Sequence, residues 1–180
     1  MIYMFLANGF EETEAIAPLD IMRRAGIEVK TVGIGSKTVT GSHGIAVNCD
    51  LCEQDVDFDN IDGVVLPGGM PGTTNLAASA TVNAALDKAA QNKKLLAAIC
   101  AAPSVLGEKG LLKGKQATCY PGFEDKLLGA CFTGEPVAAD GNCITAWGAG
   151  AAVRFGFAIV EFLCGKQKAC ELEALFKCVI

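Results

Sequence analysis

Leu95–Pro103 reads LLAAICAAP. Leu95–Ile99 is apolar without alternation, which describes a strand buried on both faces. Pro103 then opens a helix, read over Pro103–Leu112. Between the two, the chain must turn sharply at Cys100. Such a strand-to-helix junction lifts a side chain to the top of a sheet, as the nucleophile elbow of hydrolases does. The free N–H groups and positive dipole end of the following helix are expected to lower the thiol pKa from its ordinary value of about 8.5. Cys100 is therefore set apart from the other cysteines, of which the chain has nine in all.

Working outward, Gly63–Leu66 (GVVL) is a second buried strand and runs into Pro67-Gly68-Gly69. The two glycines let the backbone turn its amides toward a neighbouring site. The N–H groups of Gly69 and Ala101 can then serve as an oxyanion hole. Ile2–Leu6 is a further buried strand. It is followed by Asn8-Gly9 and by a helix opened by Glu11, Glu12 and Glu14, with Arg23 and Arg24 in its last turn and Gly26 closing it. Pro18 is an awkward residue inside that helix. Glu28–Ile34 reads as a strand, Thr38–Val47 as a hairpin around Gly41 or Gly44, and Thr81–Asn92 as a helix. Gln116–Cys119, Pro136–Ala139 and Cys143–Ala146 read as short strands. Gly150–Leu163 and Gln167–Phe176 read as terminal helices. Strands alternating with helices describe an α/β fold with a mostly parallel sheet covered on both faces, with residues 1–180 as a single domain. In such sheets chemistry gathers at the carboxyl ends of the strands. Three of those ends carry unusual residues: Gly9–Glu14, Pro67–Gly72 and Cys100–Pro103.

Composition narrows the function. Half of the chain, 51%, is apolar, enough for a core without disulfides or metal staples. The net charge of −5 provides no basic footprint for nucleic acid or for an anionic membrane surface. No apolar run reaches the roughly 20 residues that span a bilayer. The start, MIYMFLANGF, has no basic region ahead of its apolar run, so a cytoplasmic protein is expected. Its cysteines would then be mostly thiols.

Other motifs are weaker. The first strand–helix turn carries N-G-F-E-E-T-E, placing carboxylates where a dinucleotide pyrophosphate would lie. The Gly cluster GAGAAV at Gly148–Val153 reads as a loop and helix start. Cys49-Asp-Leu-Cys52 has redox or zinc spacing, but no second such pair follows and His43 is the chain's single histidine. A four-ligand zinc site is hard to assemble from these residues, and neither a metal nor an organic cofactor is expected.

GFEETEAIAPLDIMRRAGIEV, DGVVLPGGMPGTTNL, LLAAICAAPSVL and RFGFAIVEFLCGK, in that order, resemble the DJ-1/ThiJ/PfpI superfamily, and more closely its DJ-1 branch. The combination of LPGG with AICAAP is the specific part. The resemblance implies a flavodoxin-like three-layer sandwich, similar to class I glutamine amidotransferases, that forms a homodimer. It implies Cys100 as the reactive cysteine, Glu14 as a protonated carboxyl partner donating to the sulfur, and Gly69 and Ala101 as amide donors. A carboxyl desolvated beside a thiolate has its own pKa raised while its hydrogen bond favours the thiolate. Pocket candidates are Gly68, Tyr120, Pro121 and His43.

The chain departs from the family pattern at two of these places. Tyr120-Pro121 stands where relatives have His-Pro, and a phenol is a poor base at neutral pH. Ala101 stands where protease-like members have His, which argues against a peptidase. His43 matches a basic residue that reaches across the dimer in relatives. The resemblance implies a cofactor-independent cysteine enzyme acting on small reactive aldehydes such as methylglyoxal, or on their adducts, in the manner of a glyoxalase III or a deglycase. The alternative is a redox-sensing or chaperone-like stress protein in which Cys100 is oxidised. Nothing in the residues supports a thiamine-related role.

Overall fold

The computed structural model describes residues 1–177. Eleven strands and six helices follow one another as β1 (Ile2–Leu6), α1 (Glu12–Arg24), β2 (Val29–Gly33), β3 (Thr38–Thr40), β4 (Ala46–Asn48), β5 (Leu51–Cys52), β6 (Gly63–Leu66), α2 (Gly72–Ala78), α3 (Ala80–Gln91), β7 (Leu95–Ile99), α4 (Pro103–Glu108), β8 (Gln116–Ala117), β9 (Cys131–Phe132), β10 (Val137–Asp140), β11 (Cys143–Ala146), α5 (Ala152–Cys164) and α6 (Lys166–Phe176). The central sheet has seven strands in the order β10-β11-β7-β6-β1-β2-β5. Every neighbouring pair is parallel except β10 with β11 at one edge. This is the α/β architecture expected from the alternating pattern, and the flavodoxin-like sandwich that the resemblance implies.

Period-two geometry divides the apolar strands between two faces. Tyr3, Phe5, Val64, Leu66, Leu96 and Ala98 point to one side, where they meet Leu76 of α2, Leu86 of α3 and Val105 of α4. Ile2, Met4, Leu6, Val65, Ala97 and Ile99 point to the other, against Leu19 and Met22 of α1 and Phe155 and Ile159 of α5. Each large side chain removed from water in this way contributes about 1.5–3 kcal/mol. A third cluster, around Ile21, Phe157 and Leu172, ties α6 onto α1 and α5.

Helix α1 carries the first of the candidate residues. Glu11 caps it, accepting from the Glu14 amide at 2.7 Å, and Arg23 and Arg24 complement its far end. Pro18 does not break it. The helix continues past the proline, which faces α5, and a Cβ added to Gly156 would lie 3.0 Å from the Pro18 Cα. Tertiary packing thus holds a residue that propensity disfavours.

Some elements differ from the sequence reading. The strands β5 and β9 are two residues each and have no readable period. Helix α2 begins at Gly72, without the start signals of a cap or an acidic first turn. Helix α4 stops at Glu108, not Leu112, because Gly110 takes a left-handed φ of 72°. Gly148–Ala151 is a loop and short turn leading into α5, as the GAGAAV reading expects. Cys178, one of the nine cysteines, lies outside the described residues.

Candidate active site

The junction after β7 is a sharp elbow. Cys100 has φ 66°, in the left-handed region that costs a residue with a Cβ about 1–2 kcal/mol. Its neighbours hold it there. The Cys100 amide donates to the Ala146 carbonyl at the end of β11, and its carbonyl accepts from the Tyr120 amide, both at 2.8 Å. Two separate segments therefore pin the strained residue, and its side chain stays partly exposed.

The neighbouring strand end makes room for it. A Cβ on Gly68 would sit 2.6 Å from both the Cys100 Cβ and the Glu14 Oε2. Only a glycine fits between these two groups. Gly69 has φ 88°, and a Cβ there would meet the Glu11 amide nitrogen at 2.4 Å. The Gly69 and Ala101 amides both lie close enough to the sulfur to favour its charged form.

Glu14 comes from the first turn of α1 and is 1% exposed. Its Oε2 accepts from the Gly68 amide at 2.9 Å. Its carboxyl also faces the Cys100 thiol, which favours its charged form. Burial pushes its pKa up to about 7, against the pull of these partners. The Cys100 thiol differs from the expectation of an acidic cysteine. Burial, and then the charge of an ionised Glu14, push it up to about 12, while the Ala101 and Gly69 amides pull it down. Helix α4 is only six residues long, so its dipole adds little to those amides. The two groups titrate as a coupled pair, and when the pair holds a single proton it resides on sulfur or on oxygen. A protonated Glu14 would relieve the thiolate of the charge that opposes it.

Tyr120 stands at the mouth of the site. Its ring lies against Gly148, where a Cβ would meet the Tyr120 Cδ2 at 3.2 Å and the Glu14 Oε1 at 4.0 Å. Half of Tyr120 is exposed, as is Pro121 beside it. The structure thus gathers Glu14, Gly68, Gly69, Cys100, Ala101 and Tyr120.

His43 is engaged elsewhere. It sits in the loop between β3 and β4, and its Nδ1 lies 2.9 Å from the Glu12 Oε2. Glu12 is 6% exposed. Its Oε1 accepts from the amides of His43 at 2.8 Å and Ile45 at 3.3 Å. Burial alone would raise its pKa, but the hydrogen bonds from His43 and Ile45 bring it down to about 2. The same pairing raises the pKa of His43. The ligating atoms of Glu11, Glu12 and His43 lie within 4.8 Å of one another. The Glu12 oxygens are already taken by the loop, so we read this group as an anchor for the hairpin. Among the described residues, no third metal-ligating side chain joins Cys49 and Cys52.

Sequence reasoning missed the anchoring role of Glu12 and the part of Gly148. Glu12 could be read only as one of several helix-opening acids, since its partners lie about thirty residues downstream. Gly148 appeared only in a Gly-rich loop. A cavity of about 410 Å³ lies at the opposite end of the sheet, lined by Ile2, Ile27, Leu95 and Phe162, and holds none of the candidate residues.

The model of the DJ-1/PfpI family matches residues 1–162. This chain belongs to the DJ-1/PfpI family. It is 38% identical over 172 residues to the Drosophila melanogaster protein dj-1beta, covering 94% of this chain and 92% of that protein. A Pyrococcus abyssi protein named as a deglycase is 33% identical over 147 residues, covering 80% of this chain and 87% of the relative. The Arabidopsis thaliana Protein DJ-1 homolog A is 36% identical over 174 residues, 94% of this chain but 44% of its own length. The chain therefore spans less than half of that relative. Among solved structures, Toxoplasma gondii DJ-1 in an oxidized form superimposes with a TM-score of 0.95 at 32% identity, covering 99% of this chain and 98% of that one. Among the described residues, no helix is long and apolar enough to cross a membrane.

Proposed function

We propose that this protein is a cofactor-independent cysteine enzyme acting on 2-oxoaldehydes such as methylglyoxal, or on their adducts with amines and thiols. The observation that carries this reading is the buried Glu14 carboxyl, its pKa raised to about 7, placed against Cys100 with the Gly69 and Ala101 amides beside the sulfur. A base poised near neutrality next to a nucleophile suits proton transfer at carbon. The relative named as a deglycase supports the substrate class.

In this reading the Cys100 thiolate adds to the aldehyde carbon, forming a C–S bond and an alkoxide. The Gly69 and Ala101 amides hold the alkoxide, and Glu14 protonates it to a hemithioacetal. The resulting Glu14 carboxylate removes the proton from the same carbon, and the electron pair passes to the neighbouring ketone as an enediol. Return of the proton to the second carbon leaves a thioester. Water cleaves it, releasing a hydroxy acid and the free thiol. Oxidation at one carbon balances reduction at the next, so the reaction needs no external electron carrier.

The test is turnover of methylglyoxal by the purified protein, following both loss of aldehyde and appearance of hydroxy acid. Cys100→Ser is expected to lower the rate at least about hundredfold. Equal turnover by the variant overturns the reading. A second reading, oxidation of Cys100 as a redox signal, is favoured by the partial exposure of this thiol and by the oxidized state of the Toxoplasma relative. It expects Cys100 to be modified by peroxide without aldehyde turnover. In either reading we propose a homodimer in the cytoplasm, with α1 and the His43 hairpin at the interface, since small folds of this kind pair an apolar helix face isologously.

A further inference from the structure

Tyr120 is unusual for a large aromatic residue: it borders the buried reacting pair, yet half of it stays open to solvent. Its backbone is fixed from both sides. The amide donates to the Cys100 carbonyl at 2.8 Å, and the carbonyl accepts from the Phe123 amide at 3.1 Å. The ring has little freedom to swing inward, because its edge rests on the backbone at Gly148. Near that same point lies Oε1 of Glu14, the carboxylate oxygen that does not take the Gly68 amide. Gly68 and the Gly69 and Ala101 amides lie on the inner side of the Cys100 sulfur. The half-exposed Tyr120 ring is on the outer side, where a substituent of a carbon bound to that sulfur has room. A flat apolar surface there is matched by a flat apolar group, and aromatic pairs prefer offset or edge contact.

Resting on the aldehyde reading above, we infer that Tyr120 sets the substrate preference of the Cys100 site toward 2-oxoaldehydes carrying an aryl group. The ring supplies a stacking surface for that group. A histidine in this place would offer a smaller ring with a titrating nitrogen. The tyrosine offers more apolar surface, and its contribution is to binding.

The experiment compares kcat and KM for phenylglyoxal and methylglyoxal in the full-length wild type, Tyr120→Ala and Tyr120→Phe. The phenylglyoxal-to-methylglyoxal ratio of kcat/KM is expected to fall about fivefold in Tyr120→Ala, mainly through a higher KM for phenylglyoxal, and to be retained in Tyr120→Phe. Thermal unfolding of each variant shows whether the fold is kept. A wild type that turns over neither aldehyde overturns the enzymatic reading and this inference together. Turnover of both aldehydes with a ratio unchanged by Tyr120→Ala overturns the inference alone. Loss of the ratio in Tyr120→Phe as well would assign the preference to the hydroxyl and likewise overturn the stacking argument.

Discussion

Glu12 and Glu14 lie in the same first turn of α1, both almost fully buried, and their carboxyls move in opposite directions. Glu12 falls to about 2; Glu14 rises to about 7. Burial pushes both upward, and harder at Glu14, which lies deeper. The supply of donors widens the gap. The β3–β4 loop gives Glu12 two backbone amides and an imidazole. Glu14 receives one amide and a thiol that competes for the same charge. A buried carboxylate surrounded by donors becomes a fixed structural anion. One with too few donors keeps its proton and becomes available for chemistry.

The sharpest way to break this comparison is to neutralise each acid. Glu14→Gln retains a donor toward sulfur but cannot take a proton. It should lower aldehyde turnover by about hundredfold or more. Alkylation of Cys100 by iodoacetamide should persist or quicken, since the charge opposing the thiolate is gone. Glu12→Gln, which touches neither Cys100 nor Glu14's partners, should keep turnover. Equal losses in the two variants would show that the two acids do not have separate roles.

Stability against pH should distinguish them next. Glu14 is an acid with a raised folded pKa, so its contribution is present below the unfolded value of about 4.5. It is lost as pH rises through about 7. Glu12 is depressed, so its contribution is present above about 4.5. It is lost as pH falls through about 2. His43, with its pKa raised, contributes in the direction of Glu14: present below about 6.5 and lost as pH rises. Urea denaturation should therefore show wild-type stability declining between pH 4.5 and 7 by an amount on the order of a few kcal/mol. Glu14→Gln should flatten most of that decline. A decline of wild-type size in the variant would place the titration elsewhere.

Much of this site was readable in the sequence because its chemistry is local. The LLAAICAAP junction forces the elbow, and the left-handed Cys100 is that elbow realised. LPGG places two glycines at a strand end, and the close approach of Cys100 and Glu14 to Gly68 shows why no larger residue fits. What could not be read is the balance of non-local forces. The thiol pKa depends on burial and on a carboxylate contributed from another strand end. A helix start seen in one segment says nothing of either. Likewise α2 and β5 form because neighbours hold them, not through any period of their own.

The smallest expected effect concerns the anchor. Glu12→Ala would remove the acceptor for the His43 and Ile45 amides, and should destabilise the protein by about 1–3 kcal/mol at pH 7, measured by urea denaturation. Glu14→Ala at the same pH should cost less, since a carboxyl with a raised pKa is itself a strained guest. If Glu14→Ala proves the more damaging of the two, Glu14 is structural and the comparison is inverted.

The left-handed backbone at Cys100 also bears on how this chain would drift. Every residue with a Cβ is strained there, and glycine is the one that is not. A single nucleotide separates the codons of cysteine and glycine. In a lineage where selection on the thiol relaxed, the easiest substitution would relieve strain at the moment it removed the nucleophile. A descendant with glycine at position 100, beside an intact Gly68-Gly69, would then record the loss of chemistry and not the decay of the fold.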